Sequence, residues 1–111
     1  MRVNGQVAET KALMLKEPTI SSILEVDFDD DQTLLLMKAL SSKTRLEILK
    51  ILKKKRDVCE VARELKQTEA NISAQIKILE KAHLITPRYE SGRHGVKKVC
   101  EINVDQIIIT L

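Results

Sequence analysis

Aromatic residues are nearly absent from this sequence. Its 111 residues include one Phe, one Tyr and no Trp, and aromatic content is 2%. Leu, Ile and Val must therefore build the core, which favours packed helices over a β-sandwich or barrel. The scarcity also argues against the readers of single-stranded or folded RNA that stack bases on aromatic rings.

Residues that would support catalysis or ligand binding are also scarce. The three glycines form no phosphate-cradling loop, and two widely spaced cysteines make neither a disulfide scaffold nor a zinc site. There is no Ser/His/Asp grouping and no paired carboxylate site, so we predict neither an enzyme nor a resident metal or cofactor. No apolar run approaches about 18 residues and no signal peptide is evident, which predicts a cytoplasmic protein without membrane contact.

Charge is distributed unevenly along the chain. Residues 43–98 contain 15 Lys and Arg against 7 Asp and Glu, a net charge of +8, whereas the remaining residues carry −5. A basic centre is typical of a surface that binds a polyanion, because phosphate contacts supply most non-specific affinity for nucleic acid.

Helical periodicity covers residues 32–82. The acids of "VDFDDDQ" lack the Gly and Glu of a calcium loop and are predicted to cap a first helix, and Ser42 is predicted to cap a second. Two sets of apolar residues at helical spacing then predict inward faces: Leu46, Leu49, Leu52 with Ile48, and Val58, Val61, Ala62, Leu65. Thr68 is the predicted N-cap of a further helix, about 69–82, with Ile72, Ile76, Ile78 and Leu79 facing inward.

The pattern changes after Pro87. Alternating residues around a Ser91–Gly95 tip predict a β-hairpin over about 88–100, and His83 occupies the left-handed position that often ends a helix. The last residues, "VDQIIITL", fit either a strand or the start of a helix. We divide the chain into an arm (1–31, partly helical or disordered), a central domain (32–103) and a C-terminal segment (104–111).

The segment "QTEANISAQIKILEKAHLI" carries the strongest functional pattern. Two helices joined by a few residues form a helix-turn-helix, whose second helix enters the major groove of DNA. Its outward side chains must be small or able to hydrogen-bond base edges, and the basic hairpin that follows can grip the backbone or the minor groove. The predicted DNA-binding residues are Thr68, Ala70, Asn71, Ser73, Ala74, Gln75, Lys77, Arg88, Arg93, His94, Lys97 and Lys98.

This arrangement resembles a known family. From Leu35 to Ile102, including "MKALSSKTRLEILKIL" and "DVCEVARELKQTEANISAQIKILEKAHLI", the chain is similar to the ArsR/SmtB winged-helix transcriptional repressors. The long "ESGRHGVKK" tip resembles archaeal members. The resemblance implies a mainly α fold with a small β-hairpin wing (α+β, winged helix-turn-helix). It also implies a homodimer on double-stranded DNA, with Ser73 and Gln75 at recognition positions.

Other family properties match this sequence less well. The family's thiolate metal site pairs two cysteines where this chain has only Cys59, so a metal or small-molecule inducer is not expected. The resemblance also implies that Cys59 and Cys100 are neighbours, either as a disulfide or as two buried thiols. With no long C-terminal helix evident, we expect the dimer contact in residues 1–40, with help from 107–111. An architectural DNA-binding protein and a protein-interaction module remain alternatives.

Overall fold

The computed structural model describes residues 22–111, which form four helices and two small sheets. This is the predicted α+β winged-helix class. The elements in chain order are β1 (Ile23–Asp27), α1 (Asp31–Leu40), α2 (Lys43–Ile51), β2 (Arg56–Asp57), α3 (Val58–Leu65), α4 (Glu69–Lys81), β3 (Ile85–Gly92), β4 (Gly95–Ile102) and β5 (Gln106–Thr110). None of the helices in this range is both long and apolar enough to cross a membrane.

Side-chain caps fix where the helices begin. The side chain of Asp30 accepts a hydrogen bond from the backbone amide of Gln32 at 2.9 Å. In the same way Ser42 accepts from the backbone amide of Arg45 at 3.3 Å, and Thr68 accepts from the backbone amide of Asn71 at 3.1 Å. Each bond satisfies one of the amides that a first helical turn leaves without an intrahelical partner. Ser42 and Thr68 are therefore confirmed as caps, and the first helix begins within the predicted acidic segment, with Asp30 as its cap.

The core lies between the four helices and the inner face of the hairpin. Its largest fully buried side chains are Leu36, Ile48, Leu52, Val61, Ile72, Ile76, Leu79, Leu84 and Cys100. Most follow the predicted helical faces, but the assignment of Leu46 to the core was wrong, because this side chain is 42% exposed. Positions 46 and 48 differ by about 200° around a helix, so once Ile48 points inward Leu46 cannot.

The hairpin forms the wing. Strands β2, β4 and β3 lie in that order in one antiparallel sheet, and Gly92 pairs with Gly95 across a tight turn. His83 has φ of 62°, the predicted left-handed conformation between α4 and the hairpin. The amides of Ile102 and Asn103 donate to the carbonyls of Leu52 and Leu84 at 2.8 and 3.0 Å, which ties the base of the wing to the ends of α2 and α4.

A second, two-stranded sheet joins the two ends of the described chain. Strand β1 runs parallel to β5, with Ile23 opposite Gln106 and Asp27 opposite Thr110. The segment "QIIIT" is thus a strand, which resolves the choice that the sequence left open. The described part of the predicted arm, residues 22–31, contributes β1, and the rest of the arm, predicted to be partly helical or disordered, lies outside the described residues. The functional division of the chain at residues 31 and 103 stays a prediction.

Strand β2 pairs with β4 and places Arg56, three residues before Cys59 in the chain, opposite Cys100. Both cysteines are free thiols. Cys100 is buried, and desolvation raises the pKa of its thiol above the ordinary value. Cys59 lies exposed on α3, so the expectation of two buried thiols was wrong for this residue. Pairing of the two thiols under oxidation stays a prediction.

Candidate nucleic-acid interface

Helices α3 and α4 form the predicted helix-turn-helix. The connection is short because Lys66 adopts the left-handed conformation, with φ of 57°, and ends α3 at once. The Gln67 amide then donates back to the Ala62 carbonyl at 3.0 Å, and Thr68 starts α4. This sharp reversal lets α3 support α4 along its buried side, as a helix inserted into a groove requires.

The outward face of α4 remains open to solvent. Ala70, Asn71, Ala74 and Lys77 are exposed, and so is Thr68 at the N-cap. Ser73 and Gln75 are half-buried at the edge of this face. The structure thus brings all seven predicted α4 positions to one end of the helix. The side chains there are short enough for the backbone of α4 to approach a flat surface closely.

Two residues that the sequence analysis missed connect to this face. Arg45 on α2 donates through Nη1 to Oε1 of Gln75 at 2.6 Å. Gln67 accepts a hydrogen bond at Oε1 from the side-chain nitrogen Nδ2 of Asn71. Gln67 has a detectable sequence signal, because Gln67, Asn71 and Gln75 follow one another at four-residue spacing. Arg45 has no detectable signal in the sequence, because its contact with Gln75 depends on how α2 packs against α4.

The wing carries two kinds of cation. Arg88, Arg93 and His94 are exposed, and the last two occupy the turn at its tip. Lys97 lies 3.8 Å from a carboxylate oxygen of Asp57 in a longer-range ion pair. Arg93 at the tip is thus open to contact with a polyanion, whereas Lys97 on β4 also serves a contact within the fold.

Lys98 has a mainly structural contact. Its ammonium lies 2.6 Å from Oε1 of Glu80 on α4, and both side chains are about one-fifth exposed (20% and 22%). Burial alone would lower the pKa of Lys98, but the hydrogen bond and charge of Glu80 outweigh it and raise the pKa above the ordinary value. The pair links the wing to the helix that precedes it. The sequence analysis identified Lys98 but missed Glu80.

Replacing Glu80 by Gln should lower the free energy of unfolding by roughly 1 to 2 kcal/mol, between the values for surface and buried ion pairs. The raised pKa means that this stabilisation is fully present below the ordinary lysine pKa and is lost as pH rises through the folded value. Urea unfolding at pH 7 and above pH 11 would measure it. The matched control is Glu90→Gln, which breaks the more exposed pair with Lys55 and should have a smaller effect. Equal losses in the two variants would contradict the special role of Glu80.

Metal ligands do not cluster in the described region. Among residues 22–111, no group of three or more His, Cys, Asp or Glu side chains lies close enough to hold a metal ion. The expectation that no metal inducer acts on this chain nevertheless stays a prediction.

Comparison with known proteins agrees with this geometry. The family model described as "Bacterial regulatory protein, arsR family" matches residues 42–86, which span α2 to the start of β3. No curated protein sequence matches the chain.

Several solved structures are similar. One is a crystal structure of a possible transcriptional regulatory protein (fragment 1–100) from Mycobacterium bovis, with 28% identity, a TM-score of 0.59, and coverage of 66% of this chain and 75% of that one. A second is a solution structure of a homodimeric winged helix-turn-helix DNA-binding domain from the same organism, a possible ArsR-family regulator. It has 28% identity, a TM-score of 0.59, and coverage of 66% and 65%. HlyU from Vibrio cholerae, at 22% identity, TM-score 0.57 and coverage of 65% and 75%, supports the fold alone.

The fold and the open face of α4 define a winged helix-turn-helix protein of the transcription-regulator class. Residues 42–86 of this chain are similar to the arsR family of bacterial regulatory proteins. The similarity of the wing tip to archaeal members stays a prediction.

Proposed function

We propose that this chain is a homodimeric, sequence-specific regulator of transcription that binds double-stranded DNA and acts as a repressor. Helix α4 lies in the major groove, and the wing tip lies on the sugar–phosphate backbone or in the minor groove. The observation that carries this proposal is the outward face of α4, where Asn71 and Ala74 are exposed while α3 supports the opposite side. Amide and methyl groups of this size can reach base edges.

Electrostatics support the same orientation. Lys77 and Lys81 follow the polar positions along α4, and Arg93 and His94 project at the wing tip. Phosphates flank a groove on both sides, so cations at the two ends of this surface fit where the strands of a duplex run. The turn between β1 and α1 contains Asp29 and Asp30, Asp31 follows at the start of α1, and their negative charge would not compete for that position.

Selection of bound fragments from random duplexes tests the proposal most directly. A specific regulator should enrich one sequence and bind it at least roughly 1000-fold more tightly than unrelated duplex. The binding constant should fall with salt at a slope of about 0.9 per phosphate contacted. Binding without enrichment would favour the architectural alternative, and no binding at all would favour the protein-interaction alternative. A reporter gene placed behind the enriched sequence would distinguish repression from activation.

The dimer contact is proposed to involve α1. Leu34 is 74% exposed, and Leu35, Met37 and the preceding Phe28 are also exposed. A cluster of exposed apolar side chains on one helix and the turn before it is typical of an interface. Pairing of two α1 helices would leave α4 of each protomer on the open side of the dimer, as a two-fold operator requires.

A Leu34→Glu substitution should therefore weaken dimerisation at least tenfold, because it places a charge in a contact that excludes water. Sedimentation equilibrium measures the change. The control is Val96→Glu on the wing, where the original side chain is 73% exposed, and this variant should remain dimeric. If Leu34→Glu leaves the dimer intact, α1 is not at the interface. A chain that begins at residue 31 tests the contribution of the arm separately.

A further inference from the structure

Three amide side chains form a hydrogen-bonded ladder along α4. Gln75 Nε2 donates to Oδ1 of Asn71 at 3.3 Å, and Asn71 Nδ2 donates to Oε1 of Gln67. Asn71 and Gln75 lie one turn apart on α4, and Gln67 lies four positions before Asn71 in the connection that leads to the N-cap Thr68. We call Gln67, Asn71 and Gln75 the amide ladder.

Arg45 sets the direction of the amide ladder. A guanidinium group has five N–H donors and no acceptor, so the Gln75 atom 2.6 Å from Nη1 must be the oxygen. Nε2 of Gln75 then faces Oδ1 of Asn71, and Nδ2 of Asn71 in turn faces Oε1 of Gln67. Arg45 is itself held in place, because Nε donates to the Ala39 carbonyl at 3.0 Å and Nη2 to the Lys38 carbonyl at 2.7 Å.

This direction decides which groups remain free. Each ladder oxygen already accepts one hydrogen bond, whereas unused N–H groups remain on all three residues: one each on Gln75 and Asn71, and two on Gln67. Each oxygen keeps a second lone pair, but the oxygen of Gln75 is held against the Arg45 guanidinium, so the free group of Gln75 that is directed along α4 is a donor. In the major groove guanine offers two acceptors, N7 and O6, and thymine offers O4. Adenine presents one acceptor, N7, beside an amino donor, and cytosine presents only an amino donor.

We propose that Arg45 is a positioning residue for base readout, which orients the amide ladder so that α4 favours guanine and thymine edges over the amino groups of adenine and cytosine. The inference rests on the proposed function and specifies its readout. Pairing of Gln75 with adenine through both amide atoms is disfavoured, because the Gln75 oxygen is directed toward Arg45.

Base-preference profiles of three proteins test the inference. On the strand that α4 contacts, identified by interference from modified bases, the wild-type chain should select guanine or thymine at the contacted positions. In Arg45→Gln the new side chain can accept as well as donate a hydrogen bond, so the Gln75 amide is free to turn over. The preference for guanine or thymine should then fall roughly five- to tenfold. Arg45→Lys has donors only and should retain the preference. Thermal melting would show whether the loss of the Ala39 and Lys38 contacts unfolds either variant.

Two further measurements keep the result independent of folding and of the proposed function. Gln75→Glu keeps the acceptor for Arg45 but removes the donors, and it should abolish the guanine preference at one position. In the DNA-free protein, the side-chain amide protons of Gln75 should exchange more slowly in the wild type than in Arg45→Gln. An unchanged base preference in Arg45→Gln, a wild-type preference for adenine or cytosine on the contacted strand, or equal amide exchange would overturn the inference. A failure of the wild type to select any sequence would refute the proposed function, while the exchange comparison would still test the ladder.

Discussion

An Ala74→Glu substitution is expected to lower the affinity for the selected duplex by at least about 100-fold. Ala74 is exposed on the outward face of α4, between Asn71 and Lys77. A carboxylate there would meet base acceptors and nearby phosphates, and such like-charge contacts cost several kcal/mol. Glu is a good helix former, so α4 should fold normally. Fluorescence anisotropy with labelled duplex measures the loss.

The neutral variant Ala74→Gln separates charge from size. It has nearly the same volume as Glu but no charge, so its affinity should fall much less. Circular dichroism and thermal melting should show both variants folded. If Ala74→Glu binds duplex as tightly as the unchanged chain, α4 does not lie in the groove, and the proposed function fails with it. If both variants lose binding equally, steric exclusion rather than charge is responsible.

The largest effect on stability is expected from Leu79→Ala. Leu79 is fully buried on the inner face of α4 (0% exposed), and truncation should lower the free energy of unfolding by about 3 kcal/mol through lost burial and a cavity. That is a large fraction of the stability of a domain of this size. Urea unfolding followed by circular dichroism measures it. DNA binding should decline only as far as the folded fraction does.

Leu46→Ala is the matched control, since it is the same substitution at a residue that periodicity also assigned to the core. Because the Leu46 side chain is 42% exposed, its truncation should lower the free energy of unfolding by less than about 1 kcal/mol. Equal losses at positions 46 and 79 would contradict the described orientation of α2. A loss of stability for Leu46→Ala but not for Leu79→Ala would mean that α2 is rotated relative to its neighbours.

Local patterns predicted most of the helix-turn-helix. Thr68 was identified as an N-cap and His83 as a left-handed residue because both depend on the backbone of nearby residues. The inner face of α4 followed from its spacing alone. In α2, however, four apolar residues compete for one face of a nine-residue helix, and periodicity could not decide which of them the neighbouring helices would cover.

Contacts between distant residues were much less predictable. The segment of Ile23–Asp27 is too short and too acidic to indicate a strand, and it forms one because β5 lies beside it. The hydrogen bond of Arg45 to Gln75 likewise links positions 30 residues apart. The basic positions of the wing were identified from the sequence, but the pairing of Lys98 with Glu80 depends on how the hairpin folds back onto α4.

The parallel pairing of β1 with β5 has a consequence for the order of folding. Ser22 and Asp105, at the start of this ribbon, are 83 positions apart, so nearly the whole domain forms the loop that the ribbon closes. Closing such a loop costs chain entropy before any contact is gained, whereas the helical hairpin and the wing close over short distances. The ribbon should therefore form after the helices have docked, and it should be the first part to open when the native state fluctuates.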